Sequence, residues 1–437
     1  MHLVPELNFR NLKVSEKYMY FKKVVLSTIF YDLTNPKPDS LANSGLPIWR
    51  LFSRSVLPFV LFPLSLFVWT ILKVLSIRFR VSIYVLKSFR PGWASTYISM
   101  IEPLCRGLQN DKSPRRLTIL VDPGEDVSKI LVESYRSHFT LYLNDNHRIL
   151  RQVFFLVPRF GLSKKFLNTS DKFKQDWKLP PSKNFAFESD QAPNDLVELG
   201  IVAKNFVLFA HASSKYYKDR ISASQLHDLG FRFVDLNSYE SSILDILEQN
   251  FTVVRVGVNT DELPEKLKKL PIIDYTGQVR NEGSELWLYE NCSGLVSSCS
   301  GAFWFTQRFG KPSLLTNNYV LPFGYQSTLF TPQLIVNTKT NSFLTISEML
   351  HHRHMAYMNS EIEMLSENLQ FVSNSPHTLR NAVHDLLDVI AGASLSTGDI
   401  DLYARYFDLL SRFNTPSVDG CAKPAISFLR EFEYLLE

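Results

Sequence analysis

The chain has 437 residues, 45% of them hydrophobic and 21% charged, with a net charge of +4. That balance excludes a disordered chain, a collagen-like repeat and a coiled coil, and the length allows two or three domains. The surplus of charge is mild and no long Lys/Arg run appears, so nucleic acid is not expected as a partner; an anionic membrane surface or an anionic sugar nucleotide fits as well.

The chain opens MHLVPELNFRNLKVSEKYMYF, without the basic start, apolar core and small-residue site of a cleavable leader. The hydrophobic event comes later, in Ser55–Ile77. From Ser55 to Leu72, 18 consecutive residues carry no charge, close to the length of a spanning helix. Pro58 and Pro63 lie inside this run, and Trp69 sits near one end as an interfacial anchor would. Arg50 and Arg54 precede it; Lys73, Arg78, Arg80, Lys87 and Arg90 follow. This bias puts the bulk of the chain in the cytoplasm if the segment spans. An interfacial segment and a buried core helix are the other readings.

Beyond it, Arg115–Glu125 reads as a strand ending at the turn Asp122-Pro123-Gly124, with a helix from Asp126 to His138. Phe139–Asn144 reads as a second strand, and Arg151–Pro158 as a helix or a third strand. Residues from about Lys164 to Leu199 are polar and contain Pro180, Pro181 and Pro193, as a linker would. Then strands and helices alternate. Strands are expected over Asn205–Ser213, Phe251–Val258, Pro271–Gly277, Ser293–Gly301 and Lys311–Asn318. Helices are expected over Ser238–Asn250, Ser284–Cys292 and Ala302–Gly310. Continuous apolar strands separated by helices predict a parallel sheet covered on both faces. The end of the chain, from Ser396, reads as a helical tail.

Ligands of such sheets bind beyond the carboxyl ends of the strands. Four places there carry possible chemistry. Ser297-Ser298-Cys299-Ser300-Gly301 runs from a strand into a helix. The Ser300 hydroxyl and the room at Gly301 suit a phosphate; simple capping by Ser300 is the plainer role. Arg255 lies in a buried strand and needs an anion, either a diphosphate or Asp274 or Glu285. Asp274 could bind a ribose hydroxyl and Tyr275 could stack on a base, or they could serve a turn and the core. His211, just past a strand end, could take a proton from a hydroxyl, or be a satisfied loop histidine. His351, His352 and His354 cluster without a carboxylate, which is poor metal-ligand spacing. Cys105, Cys292, Cys299 and Cys421 form no CxxC pair, which points to a reducing compartment. No GxGxxG, Walker loop, GxSxG or HExxH occurs.

The order TVVRVG, IIDYTG, ENCSGLVSSCSGAFWFTQRFGKPSLLTNN, LFTPQLIV and FLTISEML resembles a bacterial family of GT-B-like glycosyltransferases encoded among surface-polysaccharide genes. His211, Arg255, Asp274, Tyr275, Ser300, Gly301, Phe309, Gly310, Pro312 and Asn317 fall on that family's elements. The strand, Ser-Gly, helix and Gly-x-Pro order is also similar to the donor-phosphate turn of heptosyltransferases. Departures are the segment FRPGWASTYISM, which lacks the family's histidine, and Ala210-His211-Ala212, which has no arginine beside the histidine.

The resemblance implies an α/β chain with two Rossmann-like domains, GT-B-like, and an N-terminal membrane-associated segment. Residues 1–80 would hold that segment, 81–195 an acceptor domain, 196–395 the nucleotide-sugar domain and 396–437 the tail. It implies transfer from a nucleotide sugar to a glycan or lipid-linked acceptor, on the cytoplasmic face of the bacterial inner membrane, with no cofactor and no metal. Donor binding would fall to Arg255, Asp274, Tyr275, Ser298, Ser300, Gly301 and Asn317, and catalysis to His211. A sugar-nucleotide epimerase of the same fold and a non-catalytic assembly protein are the alternatives.

Overall fold

The computed structural model describes Pro63, Leu64, Phe67, Val68, Thr70, Ile71 and Val74, four strands between residues 80 and 168, and residues 192–436 apart from 202–204, 219–221, 278–279, 299, 319–327, 352–360 and 413–421. The chain forms two compact units. One takes Met1–Phe89 and Leu104–Phe173; the other takes Arg90–Pro103 and Lys174–Glu437.

In the first unit, strands β1 (Arg80–Val85), β2 (Arg116–Val121), β3 (Leu141–Leu143) and β4 (Leu167–Asn168) form a parallel sheet in the order β3-β2-β1-β4. β2 and β3 fall inside the runs expected as strands. β4 does not: it lies in the polar stretch read as a linker, where two residues are too short to leave a periodic signal. The expected helix Asp126–His138 and the Arg151–Pro158 segment lie outside the described residues.

The second unit is built on a seven-stranded parallel sheet. Its strands are β5 (Phe206–Ala210), β6 (Thr252–Arg255), β7 (Ile272–Asp274), β8 (Gly294–Ser298), β9 (Ser313–Asn318) and β10 (Thr328–Pro332), in the order β10-β9-β8-β5-β6-β7, with one more strand outside β10. β5, β8, β9 and β10 are buried along their whole length. A strand covered on both faces has no solvent side, so its sequence is a continuous apolar or small-residue run rather than an alternation. The five runs read as strands are all strands here, although β7, at the edge of the sheet, is not fully buried.

Side-chain caps set two of the helical starts. Asp235 accepts from Asn237 N at 3.0 Å and opens a 3-10 turn, so the helix expected from Ser238 begins at Glu240 and runs to Glu248. Asn281 accepts from Gly283 N at 2.8 Å and caps the helix Glu282–Asn291. The helix Ala302–Arg308 stops before Gly310, whose φ of 66° is the left-handed turn that glycine adopts without strain.

After β10 the chain leaves the parallel sheet. β11 (Leu334–Asn337), β12 (Ser342–Phe343) and β13 (Leu369–Val372) form a small antiparallel sheet in the order β12-β11-β13. The helix Pro376–Ala391 then packs on the helix Glu240–Glu248, where Arg380 grips the buried Asp245 bidentately at 2.7 and 2.9 Å. The residues after Ser396, read as a tail, are built into this unit. Strand β14 (Lys423–Pro424) pairs with β10 as the outer strand of the sheet. Arg430 bonds Asp399, and Ser427 bonds the carboxylate of Asp385.

Of the segment Ser55–Ile77, the described Phe67, Ile71 and Val74 are helical and 62%, 41% and 61% exposed. Among the described residues no helix is long and apolar enough to cross a membrane.

Candidate active site

The strand order places one crevice before any residue is considered. From β5 the chain steps outward to β6 and β7, then returns to the far side of β5 and steps outward again through β8, β9 and β10. The chain therefore parts in opposite directions from the carboxyl ends of β5 and β8. In open parallel sheets this switch point is where ligands bind.

Two segments read from the sequence meet there: His211 follows β5, and Ser300 and Gly301 follow β8. The two ends are tied together, because Ala212 N donates to Ser298 Oγ at 2.8 Å. Ser298 is buried, and this bond joins the two strand ends. Ser297 donates to its neighbour's carbonyl and pairs with the Ser300 hydroxyl at 2.8 Å. The helix Ala302–Arg308 receives no side-chain cap, so the plainer capping role for Ser300 is not what its hydroxyl does. Gly301 has φ −63° and ψ −28°, which any residue adopts, and a Cβ there would meet nothing within 4 Å. The space beside Gly301 is open.

His211 is 5% exposed, and neither ring nitrogen has a hydrogen-bond partner among the described residues. Its ring stacks on Phe209 at 6.2 Å. Burial, reinforced by the Arg255 cation, lowers its pKa to about 4, against the opposing pull of Asp261 and Asp274. The imidazole is thus uncharged at neutral pH, with a free lone pair.

Three of the residues expected to bind donor have partners within the chain. Arg255 is 1% exposed, with Nη1 on Asp274 Oδ2 at 2.9 Å and Nη2 donating to the Asp261 carbonyl. Its anion is Asp274, the alternative the sequence left open; each terminal nitrogen has one such partner, while Nε is buried without one among the described residues. Tyr275 is fully buried. Its hydroxyl donates to Asp195 at 2.9 Å and accepts from Asn281 N at 2.8 Å, so no ring face is offered to a base. The reason is the pleat: next to Asp274 along the chain, it points to the opposite side. Asn317 is buried at φ 50°, and it exchanges hydrogen bonds with Asn374. Asp274 remains 40% exposed, so this carboxylate can meet a ligand while Arg255 holds it.

Asp261 and Ser213 were not singled out in the sequence. They form a compact cluster directly after His211, described below. The signal available was NTDE following the glycine after β6, a turn sequence that says nothing of its partner. His351 is helical and bonds the Ser347 carbonyl, while His352 and His354 lie outside the described residues. Among the described residues no group of three His, Cys, Asp or Glu side chains is gathered as for a metal ion.

No protein-family model matches the chain, and no curated protein matches it. Some solved structures are similar, and they are glycosyltransferases. One is the ADP-heptose LPS heptosyltransferase II of E. coli, at 12% identity over 54% of this chain and 84% of that one, with a TM-score of 0.33. Another is the dodecameric iron-containing heptosyltransferase TibC in complex with ADP-D-beta-D-heptose, at 10% identity over 72% and 78%, with a TM-score of 0.36. A glycosyltransferase family 9 protein from Veillonella parvula follows at 13% identity over 67% and 79%, with a TM-score of 0.28. Likeness of this degree leaves the fold to be argued from the strand order.

Proposed function

We propose that the chain is a glycosyltransferase that moves a sugar from a nucleotide-sugar donor to a glycan or lipid-linked acceptor in cell-surface polysaccharide synthesis, of the lipopolysaccharide type. The observation that carries this reading is the unpartnered, buried His211 at the switch point, beside the open space at Ser300 and Gly301.

In this reading the donor diphosphate lies against Ser300 Oγ and the backbone at Gly301. Asp274 takes a hydroxyl of the donor. The bond from the anomeric carbon to the diphosphate breaks, the acceptor oxygen bonds that carbon, and the acceptor proton passes to a ring nitrogen of His211. An anionic donor beside the imidazole raises its proton affinity, offsetting the burial that lowers it. The base is thus strengthened when donor is bound. Arg255, Tyr275, Ser298 and Asn317 support the site and do not touch the donor. No metal is required by the residues named, and the leaving group is met by the hydroxyl and backbone.

We further place the chain on the cytoplasmic face of the bacterial inner membrane, as a GT-B-like enzyme. Phe67, Ile71 and Val74 support this, because they recur at the i, i+4, i+7 spacing of one helix face and are exposed. Arg and Lys residues flank the segment.

The test is titration calorimetry of the purified protein with ADP-, UDP-, GDP- and CMP-linked sugars, ADP-heptose first, followed by a transfer assay on membrane glycolipid extracts. Binding of one donor class, with transfer lost in His211→Gln, supports the reading. A folded protein that binds none of them overturns it. Binding without any transfer would favour the non-catalytic assembly protein.

A further inference from the structure

The loop carrying His211 is held from two sides. On one side Ala212 N is bonded to Ser298 at the end of β8. On the other stands Asp261, in the loop that follows β6. Its carboxylate accepts from Ser214 N at 3.0 Å, from Ser214 Oγ at 3.2 Å and from Lys215 N at 3.3 Å. Its own N–H donates to Ser213 Oγ at 3.0 Å, and Ser213 Oγ in turn donates to the Asn259 carbonyl at 3.1 Å. The two loops therefore bond each other in both directions.

The Asp261 loop is itself anchored. Its carbonyl accepts from Arg255 Nη2, and Arg255 Nη1 is paired with Asp274 at the end of β7. The loop's shape is also set locally. Gly257 has φ 143°, and a Cβ there would come within 2.7 Å of Thr260 Cγ2. Asn259 adopts φ 49°. A rigid chain of contacts thus runs from β7 through Arg255 and Asp261 to the residues directly after His211.

We propose that Asp261 is a positioning residue for His211: it locks the loop after β5 so that the imidazole stays buried at the switch point. This rests on the reading of His211 as the base. The charged groups around the imidazole are Arg255 at the end of β6, Asp261 itself and Asp274 at the end of β7. They make the sign of the test decisive. Removing the Asp261 charge alone would lower the proton affinity of His211, whereas opening the loop would raise it by relieving burial.

The experiment is an NMR titration of the histidine Cε1–H signals of the full chain from pH 5 to 8, with His211 identified by its loss in His211→Gln. In the wild-type protein the His211 signal stays flat, since its midpoint lies near 4. In Asp261→Ala it should titrate inside the window, with the midpoint raised by at least about one unit toward the ordinary histidine value. Asp261→Asn keeps one acceptor oxygen, enough for Ser214 Oγ and Lys215 N but not for Ser214 N, so its signal should titrate less than in Asp261→Ala. A flat His211 signal in a folded Asp261→Ala protein overturns the proposal. If that variant does not fold, Ser213→Ala removes the acceptor of the Asp261 N–H, and the same signal should then titrate. None of this needs a substrate. Transfer activity surviving in His211→Gln would sink the catalytic reading and leave the titration result standing.

Discussion

Asn317 and Asn374 hold each other by a matched exchange: Asn317 N donates to Asn374 Oδ1 at 2.8 Å, and Asn374 N donates to Asn317 Oδ1 at 2.7 Å. The pair joins the end of β9 to the start of the long helix Pro376–Ala391. It also sits where β9 and β10 slip in register, between Phe330 and Pro332. The left-handed backbone of Asn317 makes the slip possible, and the exchange satisfies the buried donors it would leave bare.

Replacing Asn317 by Gly should therefore lower stability by about 2 kcal/mol, because Asn374 N then loses its acceptor while the backbone angle is still allowed. Asn317→Leu should cost more, adding strain at positive φ. Urea unfolding measures both. Donor affinity of the folded Asn317→Gly protein should not change; a tenfold loss would return Asn317 to the donor site.

Arg255 is buried and paired with Asp274, so Arg255→Met should destabilise the protein without any ligand, by roughly 2–4 kcal/mol or several degrees in Tm. The change also leaves the Asp261 carbonyl without its donor. A melting curve of the variant with and without nucleotides tests this. An unchanged apo Tm would mean that Arg255 waits for an anion from outside the chain.

Gly301→Val should leave the fold intact, since φ is −63° and the space is open. The valine side chain then fills the room next to Ser300. Donor affinity should fall by about 2 kcal/mol, the scale of one charge-assisted contact. Calorimetry on the folded variant decides: unchanged affinity would make this turn structural.

Asp245 is buried between Arg380 and His384, and the hydrogen bonds from Arg380 hold its carboxyl below the usual carboxylate range, against the effect of burial. A depressed carboxylate contributes stability that is fully present above its unfolded pKa of about 3.9 and is lost as pH falls through the folded value. Asp245→Ala should thus destabilise clearly at pH 7 and progressively less below about pH 4. Urea midpoints of both proteins across that range give the comparison. A gap that stays constant down to pH 3 would mean that packing, not charge, explains the loss.

Five strands of the second unit, β5 to β9, were legible in the sequence because burial writes itself as unbroken runs such as FVLFA and TVVR, whereas β10 to β13 were not read. The turn at Ser300-Gly301, the glycine stop at Gly310 and the strand-end position of His211 were equally legible, since each is a matter of near neighbours. That Arg255 needed an anion followed from its apolar strand; that the anion is Asp274 depended on β6 lying beside β7. Tyr275, Ser298 and Asn317 looked available because their residue types suit a donor. They bond Asp195, Ala212 and Asn374, partners 57 to 86 residues away in the chain, which only tertiary packing selects. The same holds for β14, a two-residue strand with no periodic signal, which exists because β10 offers it an open edge. Asp261 shows the limit most plainly. An aspartate in a turn is ordinary, and it becomes a clamp on the His211 loop only because the parallel sheet brings the ends of β5 and β6 together.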